Sequence, residues 1–178
     1  NSSYDPPQAI RVGRMLEEID AVYFEEPCRF DELGPTKRVT DALTIPVAGG
    51  EQEYSEWRFR WMIKNRGVDI VQPDLHYYGG LIRSARVSRM AALADMPTTV
   101  HISGGMGFVY MLIFAAFTPD IGRYQEYKRG IEKVADLFDP ALADPAMLDK
   151  LFERMQAPPA ATRAPARPLP CAFLRIEA

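Results

Sequence analysis

Apolar and polar positions follow two kinds of pattern along this chain. Short apolar runs, which predict buried strands, cover 21–24, 44–48, 68–71 and 97–100, with 123–127 as the last candidate. Stretches with apolar residues three and four positions apart separate them and predict helices. The helices are expected at 31–42, from Ser55 onward, at 81–94 and at 108–117. Strands that alternate with helices predict a parallel sheet in an α/β fold.

The first predicted helix has the clearest boundary signal. Asp5 stands before Pro6 and Pro7, which is typical of an N-cap followed by proline in the first helical turn. Its apolar face is expected to contain Ala9, Val12, Leu16 and Ile19. On the third helix, Trp57, Trp61 and Met62 are expected to pack, and the basic residues Arg58, Arg60, Lys64 and Arg66 to form a solvated face.

The alternating pattern weakens after residue 139. We therefore assign 1–139 to one partial barrel domain and 140–156 to a C-terminal helix. Segment 157–178 is rich in Pro, Ala and Arg and has no apolar period, so disorder is expected there.

A charged or ionisable residue follows each predicted strand at a nearly constant interval. These residues are Glu25, Glu51, Asp74, His101 and Glu126, and the intervals are 26, 23, 27 and 25 residues. One strand, one helix and two loops take about that length in a (β/α)₈ barrel, whose active sites lie at the C-terminal ends of the strands. The pattern therefore predicts about five βα units of a TIM-like barrel, with three further units expected upstream.

Composition narrows the function classes. A hydrophobic fraction of 47% and a charged fraction of 25% are typical of globular proteins, and the net charge of −3 favours neither nucleic acid nor an anionic membrane. No apolar run approaches the ~18 residues that would span a bilayer. Cys28 and Cys171 lack metal-ligand spacing, and no secretory leader opens the chain, so a reduced, cytoplasmic protein is expected.

The strand-end residues suggest two kinds of chemistry. Glu25 and Glu51, one barrel unit apart, suit Mg²⁺, which prefers carboxylate oxygens. Asp74 and His101 suit a dyad, in which the carboxylate fixes one imidazole nitrogen and leaves the other as a base. A metal and a base that face one cavity favour abstraction of a proton next to a carboxylate.

Four segments, in this order, carry a family resemblance. They are Tyr23-Phe24-Glu25-Glu26-Pro27, Ala48-Gly49-Gly50-Glu51, Gln72-Pro73-Asp74 followed by Gly79-Gly80, and Val100-His101-Ile102-Ser103-Gly104-Gly105. Over about residues 1–135 the chain resembles the enolase superfamily, in its mandelate racemase/muconate lactonizing enzyme-like branch, which includes acid-sugar dehydratases. The resemblance implies the C-terminal part of a (β/α)₇β barrel, strands four to eight.

The resemblance also implies roles for individual residues. Glu25 and Glu51 match two of three Mg²⁺ ligands, and Asn1 matches the Asn of an Asp-x-Asn motif whose Asp would precede the chain. His101 and Asp74 match the family's catalytic dyad. Glu126 matches an acid that contacts the substrate's carboxyl end, and His76 and Tyr77 are candidates for substrate binding.

Each of these residues also has an ordinary structural interpretation. Glu25 could be a solvated strand-end charge; only one residue of the Glu25–Glu26 pair can point into the barrel, and the resemblance favours Glu25. Glu51 could cap a helix, Asp74 could be a turn residue, and His101 could be a core histidine. His76 and Tyr77 could be loop and packing residues, and Cys28 an inert core thiol.

The expected parent protein is a Mg²⁺-dependent enzyme that abstracts the proton α to a carboxylate and forms an enediolate. Dehydration of a sugar acid is the leading reaction, and racemisation or epimerisation of a 2-hydroxy acid is the alternative. The expected partners are a small-molecule sugar acid and further copies of the complete protein, which we expect to be a homo-oligomer. A different class of interpretation is an inactive fragment, since these 178 residues would form only part of the site.

Overall fold

The computed structural model describes residues 2–102 and 107–126. In these residues the helices are α1 (Pro6–Glu18), α2 (Leu33–Ala42), α3 (Glu56–Asn65), α4 (Leu81–Ala92) and α5 (Gly107–Phe117). The strands are β1 (Phe24–Glu25), β2 (Val47–Gly49) and β3 (Ile70–Val71). Helices and strands alternate from α1 to α4, which is the predicted order. The predicted helix 140–156 and tail 157–178 lie outside the described residues, as do Asn1 and Cys171.

The three strands form one parallel sheet in chain order, β1-β2-β3. Phe24 pairs with Val47, and Ala48 pairs with Ile70. Single parallel bridges continue the sheet on both sides: Tyr4–Cys28 beside β1, and Val71–Thr98 and then Thr98–Ile121 beyond β3. Consecutive parallel neighbours are what a (β/α) barrel requires, so the predicted α/β barrel class is confirmed.

The last two predicted strands are shorter than the sequence indicated. In 97–100 only Thr98 pairs with neighbouring backbone as an isolated bridge, and Ile121, not residues 123–126, is its partner on the far side. Side chains explain the difference, because they take the strand's donors. Gln125 Oε1 accepts from the N–H of Val100 at 3.0 Å, and Glu126 Oε2 accepts from the N–H of Ile102 at 2.7 Å.

Helix α1 begins as predicted but ends earlier than its apolar pattern. The Asp5 carboxylate accepts from the N–H of Gln8 at 2.8 Å, so the predicted N-cap is confirmed. The helix ends at Glu18, and Ile19 is 72% exposed, so its expected place on the apolar face was wrong. Gly13 allows close packing at the end of α2, because a Cβ there would overlap the side chain of Leu43.

The core lies between the sheet and the helices. It contains Val39 of α2, Phe59 and Met62 of α3, Val87 of α4 and Val47 of β2, all at most 5% exposed. Trp57 does not lie on this buried face of α3. Trp57 is 74% exposed and meets the guanidinium of Arg60, so the expected packing role was wrong for it.

No helix within residues 2–102 and 107–126 is long and apolar enough to cross a membrane. Cys28 is buried, and burial raises the pKa of its thiol, which fits the predicted inert core cysteine.

Candidate active site

The strand ends bring four of the predicted residues to one edge of the sheet. Glu25 ends β1, Glu51 follows β2 by two residues, and Asp74 follows β3 by three. His101 joins them because its backbone forms a parallel bridge with Asp74. Carboxyl ends of parallel strands meet at one edge, so residues distant in sequence become neighbours.

His101 and Asp74 form the tightest contact of this cluster. His101 Nδ1 lies 2.6 Å from Asp74 Oδ2, and the Asp74 side chain is fully buried. The other oxygen, Oδ1, accepts from the backbone N–H groups of His76 and Tyr77 at 2.6 and 2.8 Å. An ionised carboxylate can only accept, so Nδ1–H donates to Asp74, and His101 Nε2 is the ring nitrogen that faces the site.

The turn interpretation of Asp74 is therefore compatible with the dyad. One oxygen organises the 74–77 turn, and the other holds the imidazole. The rigid backbone contacts fix the direction of the carboxylate, and the carboxylate in turn fixes the ring of His101.

Two further carboxylates face Nε2 of His101. Glu51 Oε2 lies 3.3 Å away and Glu126 Oε2 lies 3.6 Å away. Both carboxylates are held in place: Gln52 Nε2 donates to Glu51 Oε1 at 3.1 Å, and the N–H of Ile102 donates to Glu126. A proton on Nε2 would thus be surrounded by negative charge, which stabilises an imidazolium.

The carboxyl groups of Glu25 and Glu51 lie close enough to interact, and two negative charges so placed repel each other. Burial, and next the contact with Glu51, raise the pKa of Glu25 to about 7, with smaller contributions from the charges of Glu126 and Glu26. Like charges that are pushed together in this way favour either a proton or a cation between them.

Glu26, adjacent in sequence, serves different partners. It is 4% exposed, and its carboxylate accepts from Ser2 Oγ at 3.0 Å and from the backbone N–H of Gly50. Burial and the charge of Glu51 raise its pKa, while these two hydrogen bonds lower it. The two neighbouring glutamates thus differ in partner: Glu25 ends β1, whereas Glu26 lies beyond the strand with a φ of +38°.

Gly50 lets the chain turn from β2 into the site. Its φ of +121° is a conformation that favours glycine. A Cβ there would also lie 2.7 Å from Phe59 Cε1, inside the core. Glycine at position 50 is therefore a steric requirement for the position of Glu51.

The donor set fits Mg²⁺ in its chemistry. Within the described residues no group of three or more His, Cys, Asp or Glu side chains forms a ready-made metal cage. The neighbouring carboxyl groups of Glu25 and Glu51 nevertheless offer oxygen ligands, with a mutual repulsion that a divalent cation would offset. Mg²⁺ is commonly held by one or two carboxylates and keeps several waters.

The two candidate substrate-binding residues lie on the loop after β3. Their backbone groups bind Asp74, as described above. The His76 side chain stands edge-on to the Tyr110 ring, 6.1 Å between centroids, and lines an apolar cavity of about 470 Å³ with Leu75 and Ile82. Tyr77 is 62% exposed. The structure thus gives His76 and Tyr77 a backbone contribution to the dyad that the sequence did not reveal.

Sequence reasoning missed one ionic contact near the site. Arg58, which was assigned to a solvated helix face, forms an ion pair with Glu53, whose side chain is only 2% exposed. Arg58 also donates to the carbonyl oxygens of Phe30 and Asp31, at 2.6 and 3.3 Å. No sequence pattern links residues 28 positions apart in this way, because the contact depends on how α3 meets the loop after β1.

The chain belongs to the enolase C-terminal domain-like family, whose model matches residues 1–151. The predicted membership of the enolase superfamily, in its mandelate racemase/muconate lactonizing enzyme-like branch, is confirmed.

Curated relatives are sugar-acid dehydratases. The chain is 35% identical over 117 residues to the arabinonate dehydratase of Saccharolobus solfataricus, which covers 65% of this chain and 31% of that protein. It is 28% identical over 135 residues to the D-galactonate dehydratase of Variovorax paradoxus, covering 75% of this chain and 35% of that protein. The chain therefore spans about a third of the length of these relatives.

Solved structures share the fold. A protein from Roseobacter denitrificans is 41% identical, with a TM-score of 0.70, over 76% of this chain and 37% of that one. A racemase from Streptomyces coelicolor A3(2) with bound magnesium is 25% identical, with a TM-score of 0.64, over 71% and 34% of the two chains. An L-talarate/galactarate dehydratase variant with Mg and L-glucarate has the same identity, 25%, and TM-score, 0.64, over 76% and 32%.

Proposed function

We propose that the complete protein abstracts the proton α to the carboxylate of a sugar acid and eliminates the β-hydroxyl as water. The observation that carries the proposal is the state of His101: its Nδ1 is held by buried Asp74, while its Nε2 faces two carboxylates. The sugar-acid dehydratases among the relatives support this substrate class.

In this proposal His101 Nε2 takes the α-proton. The Nδ1–H bond to Asp74 keeps the ring in the correct tautomer, and the negative charges of Asp74 and Glu126 stabilise the imidazolium that results. Loss of the α-proton gives an enediolate, from which the C–O bond to the β-hydroxyl breaks. The proton on Nε2 can then leave with the hydroxyl as water, which balances the step.

Glu25 and Glu51 would hold Mg²⁺, which when bound supplies positive charge to the substrate carboxylate and so acidifies the α-proton. Magnesium in two structural neighbours supports this cofactor. Glu126, fixed by the N–H of Ile102, would contact the carboxyl end of the substrate and accept hydrogen bonds from its hydroxyl groups.

Racemisation or epimerisation of a 2-hydroxy acid is the second candidate, favoured by the racemase among the structural neighbours. It uses the same first step, but a second base must return the proton to the opposite face. The two reactions differ in product, since only dehydration lowers the mass by one water.

The test is a screen of the complete protein against acid sugars in D₂O with Mg²⁺, followed by mass spectrometry. Loss of water from one substrate supports dehydration, and deuterium at the α-carbon without loss of water supports the racemase alternative. Absence of both for every acid sugar would contradict the proposal.

A further inference from the structure

We infer that Glu53 and Arg58 are positioning residues, which brace the loops after β1 and β2 so that Glu25 and Glu51 converge on one cation. This inference rests on the proposed Mg²⁺ site. The brace consists of the Glu53–Arg58 ion pair and the two bonds from Arg58 to the carbonyls of Phe30 and Asp31.

The position of the brace gives it influence on both loops. Glu53 follows Glu51 by two residues, and its N–H closes a turn onto the carbonyl of Gly50 at 3.1 Å. Phe30 and Asp31 belong to the loop that follows Glu25 and leads to α2. Arg58, in the first turn of α3, therefore ties the segment after one proposed ligand to the segment after the other.

Burial makes the contact strong and directional. The Glu53 side chain is 2% exposed and that of Arg58 is 30% exposed, so the pair is shielded from solvent on the acid side. Glu53 Oε1 has no hydrogen-bond partner among the described residues, so Arg58 is the counter-charge that the structure supplies to this carboxylate. Removal of one partner would leave a buried charge unpaired.

The guanidinium is also the group that this geometry requires. It donates from Nε to Glu53 and from its two terminal nitrogens to two carbonyls. A lysine keeps the charge but lacks the planar fork, and so cannot make three such bonds at once. Partners that hydrogen-bond metal ligands directly commonly change metal affinity ~10- to 100-fold when they are removed, and we take that range as the scale for a brace that holds the ligands' loops.

A positioning role and a purely electrostatic role of Arg58 predict opposite changes in the Kd for Mg²⁺ when Arg58 is replaced by Gln. If only charge mattered, Arg58→Gln would remove a positive charge near the site and tighten Mg²⁺, whereas Glu53→Gln would weaken it. If the brace holds the ligands, Arg58→Gln, Glu53→Gln and Arg58→Lys all raise the Kd for Mg²⁺, by ~10- to 100-fold.

The experiment is Mg²⁺ titration of the complete protein by isothermal calorimetry, well below the melting temperature of every variant. Arg60→Gln is the matched control, because Arg60 lies on the same helix, is exposed and stacks on the ring of Trp57, away from both loops. We expect its Kd to equal that of the wild type. The double variant Glu53→Gln/Arg58→Gln should have a Kd for Mg²⁺ no higher than that of the worse single variant, since Arg58→Gln already removes the contact with Glu53.

Tighter Mg²⁺ binding by Arg58→Gln, or an unchanged Kd in all three single variants, would overturn the brace while the proposed function stands. If the wild-type protein itself does not bind Mg²⁺, both the metal assignment and the brace fail. If Arg58→Gln does not fold, Arg58→Lys and the double variant decide, because neither leaves an unpaired buried charge.

Discussion

Two glutamates at opposite ends of the sheet show how differently one residue type is used in this chain. Glu17 lies near the end of α1 and binds the segment that enters β2, whereas Glu25 ends β1 at the candidate site. Glu17 accepts from Arg14 at 2.8 Å, from Thr44 Oγ1 at 2.7 Å and from the N–H of Ile45 at 3.1 Å. These bonds lower its pKa to about 2, with that from Arg14 as the largest cause.

Glu25 has the opposite surroundings. Burial and the neighbouring Glu51 raise its pKa to about 7, and the charges of Glu126 and Glu26 act in the same direction. The comparison teaches that the contacts at the amino end favour an ionised carboxylate, whereas the cluster at the carboxyl end disfavours one, as the proposed cation site would require. A site that collects like charges is costly for folding, and it is retained where those charges bind a ligand or react.

The largest expected effect concerns the candidate site at the carboxyl ends of the strands. His101→Asn in the complete protein should reduce exchange of the substrate α-proton by roughly 10²–10⁴, because the general base is lost. The Kd for Mg²⁺ should stay near that of the wild type. Exchange into D₂O followed by NMR measures the first and calorimetry the second. Undiminished exchange would assign the base to another residue and leave the Asp74–His101 pair a structural one.

The next prediction is that loss of the charge of Glu25 changes Tm in the opposite direction to loss of the charge of Glu17. In Mg²⁺-free protein, Glu25 binds its proton more tightly folded than unfolded, so its contribution to stability falls as pH rises from about 4.5 to about 7. Glu25→Gln should remove that decline and raise Tm at pH 7, while it weakens Mg²⁺ binding sharply.

Thermal melts across this pH range with a chelator, repeated with added Mg²⁺, provide the measurement. The wild type should gain more Tm from Mg²⁺ than the Glu25→Gln variant does. An equal gain in both proteins would remove Glu25 from the proposed metal site.

The smallest effect belongs to the other end. The folded pKa of Glu17 lies below its unfolded value, so its contribution is complete above about pH 4.5 and is lost as pH falls toward about 2. Glu17→Gln should lower Tm modestly at pH 7 and flatten the acid limb of the stability curve. Solvent screens this partly exposed group, so the change should be small.

Catalytic exchange and Mg²⁺ affinity should not change in Glu17→Gln, which makes it the stability control for the two site variants. Glu18→Gln, an exposed neighbour on the same helix, controls for the loss of one negative charge. Slower exchange of the substrate α-proton in Glu17→Gln, with an unchanged Tm, would contradict the proposed difference between the two ends of the sheet.

The same division describes what could be predicted from the sequence. The intervals between Glu25, Glu51, Asp74 and His101 predicted one edge of a parallel sheet, because a βα unit has a nearly fixed length. The described part of the predicted strand at 123–127, residues 123–126, does not pair as a strand, since the side chains of Gln125 and Glu126 replace backbone pairing there. Apolar periodicity indicates which residues are buried. It does not indicate which side chains will hydrogen-bond the unpaired backbone N–H groups of a neighbouring strand.

The sequence by itself determined the order of the elements, the family, and which ionisable residues stand at the strand ends. The order of the elements and the strand-end positions follow from local periods, turn residues and spacing, whereas the family follows from the resemblance of four motifs. Only the tertiary structure decided that the pKa of Glu17 is lowered and that of Glu25 is raised. It also decided that Arg58 connects the loops after β1 and β2. Charges interact through space and respond to burial, so their energies depend on residues that meet only when strands and helices have packed.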